Sequence, residues 1–155
     1  MKYIGTGTQR IEEELHALLP ELALKRMDRD TMTKKLAHYR IVKEMEEKKI
    51  DVLVGTQMVA KGHDFPDVTV AAVVFADVAL NLPDFRSSER TFQLFTQFAG
   101  RAGRGSFPGE VYIQTYEPQH YVFAYVCNHD YPGFYQQEIQ FRKELSYPPF
   151  SKLVR

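Results

Sequence analysis

A chain of 155 residues, 44% hydrophobic and 26% charged, is long enough to bury a sizeable core and is composed like a globular protein, not a disordered one. Its 20 basic and 20 acidic residues leave no formal net charge, which argues against a wholly basic nucleic-acid module but leaves room for a local basic patch. The single cysteine, Cys127, excludes an internal disulfide and a multi-cysteine zinc site, and reads as a small residue packed on a helix. No apolar run approaches membrane-spanning length and Met1 opens no signal-peptide pattern, so the expected partners include no membrane and the expected place is cytoplasmic.

Lys2 to Ile4 reads as a short strand, followed by the turn Gly5-Thr6-Gly7-Thr8. Ile11, Leu15, Leu18 and Leu19 recur at helical spacing, with Thr8 as candidate N-cap and Pro20 as the stop. Leu22 to Met27 alternates as a strand, Asp28 to Thr31 is a polar loop, and a helix is expected from Thr33 to Lys49 with Leu36 and Met45 on its apolar side. The runs 51–55 and 69–76 have the continuous apolar character of buried parallel strands. After Asp77 a loop is expected through Pro83, then a helix from Ser87 carrying Phe92, Phe95 and Ala99. Gly109 to Tyr116 reads as a further strand, and two helices follow, Gln119 to Cys127 and Pro132 to Leu145, broken by Tyr147-Pro148-Pro149-Phe150. Strands alternating with helices argue for an α/β fold with a parallel sheet covered on both faces. Both ends read as cut, which implies a segment of a longer protein.

Two stretches carry the chemistry. In Gln97-Phe98-Ala99-Gly100-Arg101-Ala102-Gly103-Arg104, two arginines three residues apart share one helix face, between glycines that admit other backbone. Phosphate suits two planar guanidinium forks, yet the same residues read equally well as a helix end ornamented by its dipole. In the second stretch Thr56 follows a buried strand, Gly62 permits close approach of a ligand, and Asp64 has the chemistry to accept from a ribose hydroxyl. A long loop stabilised by Pro66 is an equal alternative. Ligands of parallel sheets gather at the carboxyl ends of the strands, where the loops after 51–55 and 69–76 begin.

Taken together, Thr56, Gly62 and Asp64, then Gln97, Gly100-Arg101 and Gly103-Arg104, resemble the second motor lobe of superfamily-2 helicases. The runs GTQMVAKGHDFPDVT, LNLPDFRSSERTFQLFTQFAGRAGRG, GEVYIQTY and FRKELSYPPFSKL extend the resemblance over essentially the whole chain, to the bacterial replication-restart DNA helicases. The resemblance implies a RecA-like parallel β-sheet with helices on both faces over 1–118, and a helical extension over 119–155 leading into a further domain. It implies Arg104 as an arginine finger at the γ-phosphate with Arg101 its companion, and Gln97 orienting in the same site. Gly62, Asp64 and Gly100 would face the nucleotide. Thr56 and Gln57 would hydrogen-bond a phosphate of the tracked strand, with Thr6, Thr8 and Arg29 where such lobes touch DNA backbone. Lys61 and His63 lie in the motif without an assigned contact, His63 reading as a structural residue more than a catalyst. Asp84-Phe85-Arg86 and Glu89-Arg90 read either as coupling elements between nucleotide and DNA, or as a helix start with Ser87 as N-cap.

The family places the remaining parts elsewhere. No G-x-x-x-x-G-K-[ST] and no acidic magnesium-holding motif occur here, so ATP with Mg²⁺ would be shared with a first helicase lobe of the same chain, and this segment alone is expected to be inactive. Zinc is expected in the parent protein's cysteine-rich module, not in this segment. The implied function is a 3′→5′ motor acting at stalled forks in replication restart and primosome assembly. Its partners would be forked and single-stranded DNA through phosphates, single-strand binding protein and primosome proteins. A translocase of repair or branch migration from the same superfamily, and a catalytically inactive DNA- or protein-binding domain, are the alternatives.

Overall fold

The strands among the described residues are four residues each, and two of them, Val52–Gly55 and Val70–Val73, are continuous apolar runs. In the computed structural model, which describes residues 7–31, 36–60, 65, 67–100 and 108–153, the chain divides into two compact units, 1–67 and 68–155.

The first unit is built as α1 (Thr8–Leu18), β1 (Leu24–Met27), α2 (Ala37–Glu46), β2 (Val52–Gly55) and the single turn α3 (Gln57–Ala60). β1 and β2 pair in parallel, from Leu24 opposite Val52 to Met27 opposite Gly55. Met27, Ile41 of α2 and Ile50 form the buried core, with Met45, Leu53 and Val59 packed on it. Asp51 locks the entry to β2, since its carboxylate accepts from the Ala23 amide at 2.8 Å while its own amide donates to the Ala23 carbonyl.

Several expectations change here. Thr8 is the first helical residue and the N-cap is Gly7, which has no side chain to cap with, while the Thr8 hydroxyl reaches out of its helix to Asp28. Leu36 is 69% exposed, so Ile41 and Met45 carry the apolar side of α2 without it. The helix begins at Ala37 among the described residues, and the expected start at Thr33 lies outside them, as does the strand at Lys2 to Ile4. The loop after β2 opens as α3.

The second unit contains β3 (Val70–Val73), α4 (Asp77–Leu80), α5 (Ser87–Ala99), β4 (Glu110–Ile113), α6 (Tyr121–Cys127) and α7 (Tyr131–Glu144). β3 and β4 pair in parallel, Val70 opposite Glu110 through Val73 opposite Ile113. The core joins Ala76 and Leu80 to Phe92 and Phe95 of α5, to Val122, Phe123 and Val126 of α6, and to Phe134 of α7. Phe92 stacks on Phe134 with centroids 4.2 Å apart and planes 6° from parallel, the closest ring pair of this core. His120 and Asp130 cap α6 and α7 by accepting from Val122 and Gly133 amides.

β3 is shorter than the run 69–76 suggested, and α4 stands where a loop was expected. Phe75 takes a left-handed backbone (φ 57°), which turns the chain, and Asp77 then accepts from the Thr115 hydroxyl at 2.8 Å and the Tyr116 amide at 3.1 Å. Ser87 does not cap α5. Arg86 occupies that position, and its amide donates to Asp84. The architecture is α/β, with parallel strands in two pairs, each accompanied by helices.

Candidate functional site

In-register parallel pairing brings the ends of β1 and β2 to one edge. Met27 faces Gly55, so the residues that follow them, Asp28-Arg29 and Thr56-Gln57, leave the sheet side by side, roughly the 4.8 Å spacing of neighbouring strands apart. Gly55 makes the turn possible. A Cβ there would stand 2.3 Å from the Met27 carbonyl oxygen and 2.3 Å from Val59 Cγ2. The close approach that glycine permits at this strand end therefore belongs to the chain's own backbone. Thr56 and Gln57 are exposed, and the Thr56 carbonyl accepts from the Val59 amide at 3.0 Å to close α3.

Asp28 organises this edge. Only 5% exposed, it accepts from the Thr8 hydroxyl at 2.5 Å, the Asp30 amide at 3.1 Å and the Thr31 amide at 3.0 Å. Arg26 lies 3.5 Å from Oδ2, the oxygen that Thr8 also reaches, and 3.1 Å from Glu12 of α1. The Thr8 hydroxyl, the Thr31 amide and hydroxyl, and Arg26 hold the Asp28 carboxyl below its ordinary range, against burial, which raises it. The result is a rigid turn that fastens the start of α1 to the end of β1 and leaves Arg29 exposed. Thr8, Arg29, Thr56 and Gln57 thus gather at one sheet edge. The proton of Thr8 is already directed at Asp28, so donors there are Arg29, Thr56, Gln57 and backbone amides. Asp28 itself was missed in the sequence, where it read as part of a polar loop.

In the second unit, Gln97 lies in the last turn of α5 and Gly100 is its C-cap, three residues on and on the same face, both exposed. Among the described residues, a Cβ on Gly100 would meet the Thr96 and Gln97 carbonyls of its own helix, at 3.5 and 3.8 Å, and its φ of −72° is one any residue adopts. Thr6, Lys61, Gly62, His63, Asp64, Arg101 and Arg104 lie outside the described residues.

At the other end of α5, Asp84 takes Arg86 through its amide and through Nε and Nη2, both at 3.1 Å, and takes Arg90 Nη1 at 2.7 Å. These hydrogen bonds hold the Asp84 carboxyl well below the usual carboxylate range. Arg142 of α7 reaches the same end, donating to Glu89 at 2.7 Å and Glu138 at 2.9 Å. Sequence reasoning singled out Asp84, Arg86, Glu89 and Arg90 but not Arg142, which sits among charges at the end of an exposed-looking helix. Among the described residues no His, Cys, Asp or Glu cluster gathers as for a metal, and no helix is long and apolar enough to cross a membrane.

Residues 5–106 match the family described as helicase conserved C-terminal domain. The chain is 53% identical over 154 residues to the replication restart protein PriA of Bacillus subtilis, covering 99% of this chain and 19% of that protein. It is 47% identical to PriA of Synechocystis over 99% of this chain and 18% of that protein. With PriA of Chlamydia muridarum the identity is 44% over the full chain and 21% of that protein. The chain spans about a fifth of the length of these curated relatives.

Proposed function

The chain belongs to the helicase conserved C-terminal domain family, and on that premise we propose that it is the second motor lobe of an ATP-dependent 3′→5′ DNA helicase of replication restart. The observation that carries the DNA half of this reading is the register of β1 and β2, which sets Arg29 beside Thr56 and Gln57 at the carboxyl edge of one parallel pair. Exposed hydroxyl, amide and guanidinium donors on a rigid edge suit phosphate oxygens and carry no base code, so binding is indifferent to sequence and salt-sensitive. A single RecA-like sheet, with helices on both faces, would place that edge along the tracked strand.

The nucleotide half rests on the motif and on the end of α5. Gln97 and Gly100 share one exposed face at the end of α5. ATP with Mg²⁺, held with a first lobe that carries the phosphate-binding loop, would supply the free energy of translocation. Gly62 and Asp64 would orient its sugar and phosphates, Gln97 would orient within the site, and Arg101 and Arg104 would stabilise charge as the phosphoryl group is transferred. Single-strand binding protein and primosome proteins are proposed partners, and zinc belongs to the parent protein elsewhere.

The test uses the full-length protein. Arg104→Ala is expected to cut DNA-stimulated ATP turnover by about 10³-fold or more while leaving DNA affinity within about twofold. Arg29→Ala is expected to weaken DNA binding and to lower the magnitude of the slope of log K against log salt by about 0.7–0.9, one phosphate contact. Near-normal turnover in the first variant refutes the finger, and an unchanged salt slope in the second refutes the strand-end contact.

A further inference from the structure

α5 has 13 residues, a rod about 20 Å long at 1.5 Å per residue. One end carries Gln97 and Gly100. The other end is fastened by α7. Arg142, its side chain 14% exposed, donates from Nη2 to Glu89 in the first turn of α5 and from Nε to Glu138 in its own helix. Its guanidinium lies over the Phe85 ring, 5.1 Å from the centroid, and Phe85 also packs on Tyr147 at 5.7 Å. Glu138 is only 8% exposed, and its second oxygen accepts from the Tyr121 hydroxyl of α6 at 2.7 Å. Burial pushes the Tyr121 phenol well above its ordinary range, so it stays a donor.

One planar fork therefore ties four segments: the turn before α5, α5 itself, α6 through Glu138, and α7. Both the edge and the face of the guanidinium are used, which a lysine ammonium cannot reproduce. Around it Arg86, Arg90 and Arg142 meet Asp84, Glu89 and Glu138, three cations against three carboxylates. So balanced a cluster has no surplus charge to offer an anion; its use is mechanical. The stacked pair Phe92 and Phe134 joins α5 to α7 one turn further along, but apolar contact is less directional than the charge-assisted hydrogen bond from Arg142 to Glu89.

We infer that Arg142 is a positioning residue, setting the rotation and axial register of α5 and so where Gln97 and Gly100 are presented at its far end; this rests on the ATPase reading above. Tilting a 20 Å rod by about 3° moves its far end by about 1 Å. A misplacement of that size costs on the order of 10²-fold where reacting groups must be aligned.

The experiment is steady-state ATPase of the full-length helicase on single-stranded DNA, with Arg142→Gln, Arg142→Lys, Glu89→Gln and the double variant Glu89→Gln/Arg142→Gln. Each is read beside its thermal midpoint and its DNA affinity, with Arg104→Ala as reference. The expected result is a kcat lowered about 10-fold or more in Arg142→Gln, with KM for ATP and DNA affinity within about threefold. Arg142→Lys recovers only part of the loss, and the double variant is no worse than Arg142→Gln alone. If Arg142→Gln does not fold, Glu89→Gln and Arg142→Lys carry the same comparison. A kcat per folded molecule that stays at wild type in these variants, while Arg104→Ala is inactive, overturns the positioning role and leaves the helicase reading intact. Full rescue by lysine overturns it too. An active Arg104→Ala instead sinks the ATPase reading on which the inference rests.

Discussion

Two glycines next to motif residues can be separated by a single methyl group each. In Gly55→Ala the new Cβ would stand 2.3 Å from the Met27 carbonyl oxygen, and a second contact at 2.3 Å falls on Val59 Cγ2. The valine can rotate away. The carbonyl belongs to the paired strand, so the chain must part β1 from β2 by most of an ångström at the last rung of the ladder. Overpacking of this kind costs about 1–3 kcal/mol, and weakening one or two ladder hydrogen bonds adds about 1 kcal/mol each, for a total near 3 kcal/mol. At about 2–4 °C per kcal/mol for a chain of this size, the thermal midpoint should fall by roughly 6–12 °C. Among the described residues, Gly100→Ala meets the Thr96 and Gln97 carbonyls, at 3.5 and 3.8 Å, in an ordinary backbone conformation. It should be neutral or stabilising by about 0.5 kcal/mol, because alanine restricts the unfolded chain. Thermal denaturation followed by circular dichroism on both variants decides the matter. A Gly55→Ala midpoint within 2 °C of wild type would refute the claim that close backbone approach fixes the Thr56 turn. In the full-length protein Gly100→Ala should lose ATPase activity without losing stability, and retained activity would mean that no ligand needs the space beside Gly100.

Asp28→Asn keeps the shape of the buried turn but removes the charge that the Thr8 hydroxyl, Thr31 and Arg26 stabilise. Because those partners lower the folded carboxyl pKa, its contribution is fully present above the unfolded value near 3.9 and is lost as pH falls through the folded one. Urea unfolding should show the variant less stable by about 1–2 kcal/mol at pH 7, with the gap narrowing below about pH 4; a gap equal at pH 7 and pH 3 contradicts the assignment. Phe134→Ala deletes a ring 3% exposed that stacks on Phe92, and should cost about 3–5 kcal/mol. Unfolding monitored by circular dichroism would show a loss under 1 kcal/mol only if α7 were peripheral to the core of the second unit.

Local patterns carried most of the elements. Alternation marked β1, apolar runs ending in a turn marked β2 and β3, and the spacing of Phe92, Phe95 and Ala99 marked α5, because those signals lie within one strand or three helical turns. The misses share another cause. The apolar run from Thr69 to Ala76 gives no local sign that the strand stops at Val73 or that a helix opens at Asp77, whose carboxylate is held by Thr115, 38 residues away. Thr8 has the chemistry of a cap, yet its hydroxyl is drawn to Asp28 across 20 residues.

The same division runs through the candidate site. Thr56, Gln57 and Gln97 were singled out because they belong to short motifs, and the placing of Arg29 beside Thr56 at one sheet edge follows from Met27 and Gly55 being partners in parallel register. Arg142 was not legible. In Phe-Arg-Lys-Glu-Leu it stands among charges that a sequence reading assigns to solvent, and its partner Glu89 lies 53 residues earlier. A guanidinium largely withdrawn from solvent is costly to keep without matched carboxylates, so its presence implies that α7 and α5 were fitted to each other. For the proposed motor lobe this matters, because a motif at the end of a helix acts only as accurately as the far end of that helix is held. The double-variant comparison of Glu89 and Arg142 measures that hold directly, since two substitutions that break one tie should cost no more together than the larger of them alone.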